Sequence, residues 1–231
     1  MKTWIRNNRG VLTFIFCLGL FRTAIADWNP VPTGSMRPTI LEGDVVLVNR
    51  LAYDLKIPLT DVSLARLGEP QRGDIVTFSS PKDAVRLIKR VVGLPGDTVE
   101  VRDNQLYING QRAEYSNLEY ATESPRPGAY LEATRYIEQI DGGRHRVQFL
   151  PLLSSSMSFG PVTVPADEYF MMGDNRNNSE DSRYIGFVQR KLLIGRAGRI
   201  LVSADIKHDW SPRMERTFSP LQLESQSGDV R

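Results

Sequence analysis

Three stretches of this chain carry residues that could do covalent chemistry. The first is Pro32-Thr33-Gly34-Ser35-Met36-Arg37-Pro38-Thr39, where a serine directly follows a glycine between two prolines. Gly34 permits a tight turn, and the prolines keep the segment out of a helix. A serine held this way is a nucleophile only if a neighbouring group takes its proton; alone, the octapeptide is an ordinary turn. The second is Arg86-Leu87-Ile88-Lys89-Arg90-Val91-Val92, which reads as a strand. Alternation puts Lys89 on one face with Val85, Leu87 and Val91, and Arg86 and Arg90 on the other, wet face. A lysine among aliphatic side chains is a candidate for burial, which lowers its pKa and makes it a base; the blander account is an exposed lysine. The third is the dense polar loop from Gly173 to Tyr184, containing Asp174, Asn175, Asn178, Ser179, Asp181 and Arg183. Its spacing does not match a twelve-residue calcium loop. It reads either as a solvated turn or as short side chains bonding one another around a buried catalytic group.

The elements that must position these groups are mostly strands. Candidates are Asp44–Val48, Asp74–Phe78, Thr98–Arg102, Gln105–Ile108, Arg144–Leu150, Pro161–Val164, Glu168–Met172 and Ile194–Val202. Asp103-Asn104 is the two-residue turn of a hairpin, and Asn109-Gly110 is a second turn. Leu59 to Leu67 reads as a short helix or a loop. No segment beyond residue 30 shows long helical periodicity, so the class is all-β with many short strands. Residues 113–160, with Pro125, Pro127, Gly128, Gly142, Gly143 and three consecutive serines from Ser154, look like a smaller, loopier inserted subdomain. It would divide a core of 29–112 and 161–217. The tail at 218–231 reads as flexible.

Composition excludes several classes. The 231 residues suffice for one or two domains, and 41% apolar with 24% charged residues is ordinary for a globular protein. A net charge of +2, from 29 basic and 27 acidic residues, gives no footprint for nucleic acid. The single cysteine, Cys17, lies in the N-terminal apolar run, so the rest has neither disulfide nor thiol nucleophile. His145 and His208 are far apart and without cysteine partners, which argues against a transition-metal site.

Lys2, Arg6 and Arg9 precede an apolar run from Val11 to Phe21. Two readings fit: a secretory signal cut after Ala24-Ile25-Ala26, or an uncleaved anchor over residues 10–28 with 1–9 cytoplasmic. In the second, Arg22 reaches the far interface beside Trp28. Both readings put the rest of the chain on the outer side.

Together these stretches resemble the bacterial type I signal peptidases over most of residues 20–205. Gly34-Ser35-Met36-x-Pro38-Thr39 resembles the nucleophile box, and Arg72-Gly73-Asp74-Ile75-Val76 the strand box after it. Lys89-Arg90-x-Val92-Gly93-Leu94-Pro95-Gly96-Asp97 resembles the lysine box. Gly173-Asp174-Asn175-Arg176-x-Asn178-Ser179-x-Asp181-Ser182-Arg183 resembles the last. Four ordered motifs are far more specific than one. The resemblance implies a β catalytic domain with a small inserted β subdomain and one N-terminal transmembrane helix. It implies a Ser35 nucleophile, Lys89 as general base, and the Ser35 amide and Thr33 hydroxyl as oxyanion donors. It implies Ser179 as the hydroxyl orienting the lysine, and Asp174, Asp181, Arg183 and Arg90 as ion-pair positions, Arg90 partnering Asp174. Val31, Met36, Ile40 and Ile88 would line small substrate pockets. Signal peptides of exported preproteins and the lipid bilayer are the implied partners, with no cofactor, metal or nucleic acid. The implied location is the bacterial inner (cytoplasmic) membrane, single-pass, with the catalytic domain on the outer (periplasmic) face; the resemblance favours the anchor reading. The longest relatives have two membrane segments and a larger insert.

Rival readings are weaker. A histidine-based hydrolase would need His145, in a turn, or His208, near the tail. A self-cleaving repressor would need a DNA-binding module that residues 1–30 cannot form. A non-catalytic exported adaptor would have no need of both Ser35 and Lys89.

Overall fold

The computed structural model describes residues 4, 7–60, 62–126, 129–141, 143–153 and 157–222. Helix α1 (Arg9–Ala24) is followed by strands β1 (Ala26–Pro30), β2 (Asp44–Asn49), β3 (Asp54–Lys56), β4 (Ser63–Arg66), β5 (Ile75–Ser79) and β6 (Arg86–Gly93). Next come β7 (Thr98–Arg102), β8 (Gln105–Ile108), β9 (Gln111–Arg112), β10 (Glu114–Arg126), β11 (Ala129–Ile140) and β12 (Gly143–Phe149). Strands β13 (Phe159–Thr163) and β14 (Glu168–Met172), the one-turn helix α2 (Ser182–Ile185), β15 (Val188–Gln189) and β16 (Leu193–Ser203) complete it.

A seven-stranded sheet in the order β1-β2-β16-β5-β6-β14-β15 forms the centre. A four-stranded sheet, β13-β7-β8-β9, a three-stranded sheet, β10-β11-β12, and the β3-β4 hairpin surround it. Every strand pairing is antiparallel. The β7-β8 hairpin shows how local sequence sets register. Asp103 and Asn104 have φ of 50° and 68°, the left-handed pair a two-residue turn requires. That turn aligns Val99 with Ile108 and Val101 with Leu106, and all four are buried in one apolar cluster. Strand β6 lies between β5 and β14, with Val76 opposite Lys89 and Met172 opposite Arg90.

The structure corrects several expectations. The stretch from 59 to 67 holds strand β4, paired with β3, rather than a helix or a loop. The region 113–160 is not loopy: β10 and β11 run for 13 and 12 residues. Their solvated faces made the sequence polar and hid the alternation. Pro127, Gly128, Gly142 and the serines at 154–156 lie outside the described residues. The tail is not loose from residue 218. Ile200 donates its amide to the Ser219 carbonyl at 2.9 Å, Leu221 donates to Gly198 at 3.1 Å, and Leu221 is buried. Residues 223–231 lie outside the described residues.

The N-terminal stretch is helical only to Ala24, short of the 10–28 span expected for an anchor; Trp28 is on β1, opposite Leu47. Helix α1 has 16 residues, and no helix among the described residues is long and apolar enough to cross a membrane. Arg22 does lie beside Trp28, its guanidinium 4.6 Å from the ring centre, and pairs with buried Asp27 at 2.9 Å.

Candidate active site

Lys89 enters the protein interior because β6 runs from an exposed start to a fully buried end. Val76 opposite it, and Leu87 and Val91 two residues to either side, belong to one apolar cluster. The lysine is 3% exposed and its Nζ donates to Ser35 Oγ, 54 positions away in the chain. It has no other hydrogen-bond partner among the described residues. Burial pushes the amine down from its ordinary value to about 8; the carboxylates of Asp181 and Asp174 oppose that fall, and Arg183 adds to it. A substantial fraction is therefore neutral at mildly alkaline pH, which a general base requires.

Ser35 sits on the loop between β1 and β2. The Arg37 amide donates to the Gly34 carbonyl at 3.2 Å and closes the turn that presents the serine. A Cβ on Gly34 would lie 2.8 Å from Glu42 Oε1, so a larger residue would displace this turn. Ser35 itself is buried, and neither its amide nor the exposed Thr33 hydroxyl has a hydrogen-bond partner among the described residues.

The polar loop after β14 holds the serine loop from the other side. The Asn175 amide donates to the Ser35 carbonyl at 3.1 Å, and its side-chain nitrogen donates to the Gly34 carbonyl at 2.9 Å. Gly173 is required by close approach: a Cβ there would collide with Ser179 Oγ and lie 2.5 Å from the Ser35 carbonyl oxygen. Asp174 receives Arg90 at 2.8 and 2.6 Å and the Thr39 hydroxyl at 2.5 Å. Burial alone would raise the Asp174 carboxyl, but Arg90 and its hydrogen bonds hold it below the usual carboxylate range. Asp181 caps α2, accepts the Gly173 amide at 2.9 Å and receives Arg183 Nε and Nη2, each at 2.7 Å. Asp174, Asn175, Arg176, Ser179 and Asp181 of the loop are buried, while Asn178, Glu180 and Tyr184 stay exposed. The buried charges are matched inside the protein, as they must be.

Three placements differ from the sequence reading. Arg90 is not on a wet face; it is 2% exposed, with Asp174, on the loop after β14, against that side of β6. Ser179 is buried, but its hydroxyl has no hydrogen-bond partner among the described residues, Lys89 included. Val31, Met36 and Ile40 do gather, with half-buried Ile88 packed against them, but as part of a closed apolar cluster in which Met36 and Ile40 have no exposed surface. His145 is on buried β12, not in an exposed turn, with Nε2 3.1 Å from Glu138. His208 is exposed and pairs with Asp205 at 3.0 Å.

Sequence reasoning missed the residues that bind the two loops to the three-stranded sheet. Glu138 on β11 receives Arg176 at 2.5 and 2.6 Å and the Tyr115 hydroxyl at 2.7 Å. Glu123 on β10 bridges Arg37 and Arg135. The partners lie 38 and 86 positions apart, so no local pattern signals them.

Comparison with known proteins gives a consistent picture. A family model described as signal peptidase, peptidase S26, matches residues 2–202. A signal peptidase I of Pseudomonas fluorescens is 36% identical over 211 residues, covering 86% of this chain and 72% of that protein. A signal peptidase I of Rickettsia typhi is 36% identical over 222 residues, covering 87% of this chain and 82% of that one. A crystal structure of a signal peptidase I from Enterococcus faecalis shares 32% sequence identity, covers 55% of this chain and 96% of its own, and superposes with a TM-score of 0.34.

Proposed function

The chain belongs to the signal peptidase family, peptidase S26, and from that premise we propose that it removes signal peptides through an acyl-enzyme on Ser35 with Lys89 as general base. The observation that carries the reading is the buried Lys89 amine, lowered to about 8 by its surroundings, donating to the Ser35 hydroxyl. It is a serine peptidase of the type I signal peptidase kind. As the Ser35 oxygen attacks the carbonyl before the cut, its proton passes to the Lys89 Nζ. The ammonium returns that proton to the departing amine, and a water molecule, deprotonated by the same lysine, hydrolyses the ester. Charge develops on the carbonyl oxygen, and the unpartnered Ser35 amide and Thr33 hydroxyl are the nearest candidate donors in sequence. One such donor is worth ~2.7–4 kcal/mol of barrier.

Ser179 fits the same scheme. Once Ser35 is esterified, the lysine loses its hydrogen-bond acceptor, and a buried hydroxyl without a partner is available to hold it. Asp174 with Arg90 and Asp181 with Arg183 fix the loop on which that hydroxyl lies. Ile88, half-buried beside Val31, Met36 and Ile40, places a small apolar surface near the serine, which favours small residues such as alanine before the cut.

Helix α1 serves as the anchor. It has no buried residue, and Phe14, Ile15 and Phe16 are each more than half exposed, a surface that water does not favour. At 1.5 Å per residue it runs about 24 Å. Lys2, Arg6 and Arg9 set its start on the cytoplasmic side, leaving the β domain outside the membrane. The three-stranded sheet and its connections correspond to the small inserted subdomain.

The test is cleavage of a leader peptide ending in Ala-x-Ala by the full chain in detergent. Wild type cuts after the second alanine, and Ser35→Ala, folded to the same melting temperature, does not. Cleavage by Ser35→Ala at the wild-type rate overturns the reading. N-terminal sequencing of the same preparation, extracted from membranes, finds a start before Arg9; a start at Asp27 overturns the anchor.

A further inference from the structure

The three-stranded sheet touches the serine loop through one carboxylate. Glu123, on β10, is 4% exposed and lies 86 positions from Arg37 in the chain. One of its oxygens accepts Arg37 Nη1 and the other accepts Arg135 Nη2 at 2.6 Å. Arg37 is two residues after Ser35. Its Nε donates to Glu42 Oε2 at 2.7 Å, and its Cδ and Nε lie 3.2 Å from where a Cβ on Gly34 would be. The guanidinium is therefore folded directly beneath the turn that presents the nucleophile.

The other arm of the bridge leads to the polar loop. Arg135 Nε donates to Gln148 Oε1 at 2.9 Å. The Gln148 amide donates to the Asp174 carbonyl at 2.8 Å, and its carbonyl accepts the Arg176 amide at 2.9 Å. Between those two residues sits Asn175, which grips Ser35 and Gly34. The contacts close a ring from Ser35 through Arg37, Glu123, Arg135, Gln148 and Asn175 back to Ser35.

We propose that Glu123 is a positioning residue for catalysis, through which the three-stranded sheet holds the serine loop and the polar loop in register with each other. The proposal rests on Ser35 being the nucleophile. Charge-assisted hydrogen bonds in a water-poor place are about twice as strong as neutral ones, and this carboxylate makes one in each direction. Without its charge, Arg37 keeps Glu42 as its carboxylate partner among the described residues, and the serine turn loses its ionic tie to the three-stranded sheet. Serine chemistry is sensitive to such slack: a misplacement of about 1 Å costs on the order of a hundredfold in rate. The sheet thus acts on the reaction without touching substrate.

The experiment compares the full chain in detergent as wild type, Glu123→Gln, Arg135→Gln, the double variant, and Glu119→Gln. Glu119 is a fair control: it is on the same strand and pairs with the same Arg135, at 3.4 Å, but its side chain is 60% exposed. Glu123→Gln, assayed well below its melting temperature, lowers kcat on the leader peptide by about tenfold, with KM within about twofold. Arg135→Gln loses about as much, and the double variant loses no more than either, because both substitutions open the same ring. Glu119→Gln matches wild type. A second readout does not depend on activity: amide hydrogen exchange over residues 34–40 speeds up in Glu123→Gln and not in Glu119→Gln. Unchanged exchange over that segment overturns the proposal whatever the activity, as does a wild-type kcat in Glu123→Gln or a double variant that multiplies the two losses. If wild type itself fails to cleave the peptide, the nucleophile assignment falls, and the exchange result alone decides whether Glu123 holds the loop.

Discussion

Lys89 and Arg90 are consecutive on β6, are 3% and 2% exposed, and point to opposite faces of the strand. Their surroundings give them opposite properties. Arg90 spends its guanidinium on Asp174 at 2.6 and 2.8 Å and on the Gly73 carbonyl at 2.8 Å. Lys89 has the Ser35 hydroxyl and no carboxylate in hydrogen-bonding contact among the described residues. A buried cation with a matched carboxylate is a structural rivet. A buried cation facing a hydroxyl and aliphatic side chains is destabilised, and gives up its proton at a pH near neutrality. One strand thus carries a fixed charge and a titratable one side by side, and the fixed one holds the loop that surrounds the other.

The largest effect should come from removing the titratable member. Lys89→Met, which keeps the volume and discards the amine, lowers kcat on the leader peptide by at least about 10⁴-fold. It also raises stability at neutral pH, because the cost of burying an ammonium disappears. Steady-state kinetics and thermal unfolding by circular dichroism, run on one preparation, check both. A stable, active Lys89→Met would erase the distinction between the two cations.

The second effect has the opposite sign. Arg90→Met leaves the Asp174 carboxylate buried with the Thr39 hydroxyl as its remaining side-chain partner. Breaking a buried pair this way costs about 3–5 kcal/mol of stability. Denaturant unfolding of wild type and Arg90→Met measures it. A cost near zero would mean that Asp174 finds other compensation, and that Arg90 is not the rivet its geometry indicates.

What was legible in the sequence follows the same division. Alternation placed Lys89 on a face with Leu87 and Val91, which is where it lies, because β6 is a regular strand and period two is a local property. Alternation could not reveal that the Arg90 face is covered as well. That depends on the loop after β14, whose Asp174 is 84 positions away. Turn chemistry was readable at Asp103-Asn104, where both residues must adopt positive φ. It misled over 113–160, where prolines, glycines and serines suggest loops but β10 and β11 run for 13 and 12 residues. Asn175 reads equally well as solvated or as part of a buried cluster, and Glu123 carries no signal, since nothing within their own segments tells a polar group in water from one bonded to a distant backbone or guanidinium.

The smallest effect is the most specific to Lys89. Its amine titrates at about 8 in the folded chain against 10.5 in the reference state. Below pH 8 both forms bind the proton, and the folded state bears the whole cost of burying it, about 3 kcal/mol. Between pH 8 and 10.5 the unfolded chain binds more protons than the folded one, so stability rises with pH, by at most about 1.4 kcal/mol per unit. The buried phenols of Tyr53, Tyr115 and Tyr169, raised chiefly by burial, act in the opposite direction at higher pH. The difference between Lys89→Met and wild type cancels them. That difference shrinks from about 3 kcal/mol at pH 7 to about 1.5 kcal/mol at pH 9.5. Over the same range kcat/KM rises about tenfold per unit up to pH 8 and then levels, since only the neutral amine can accept the serine proton. The Arg90→Met stability difference shows no step near pH 8 in the same experiment. A pH-independent gap between Lys89→Met and wild type would place both cations of β6 in the same class.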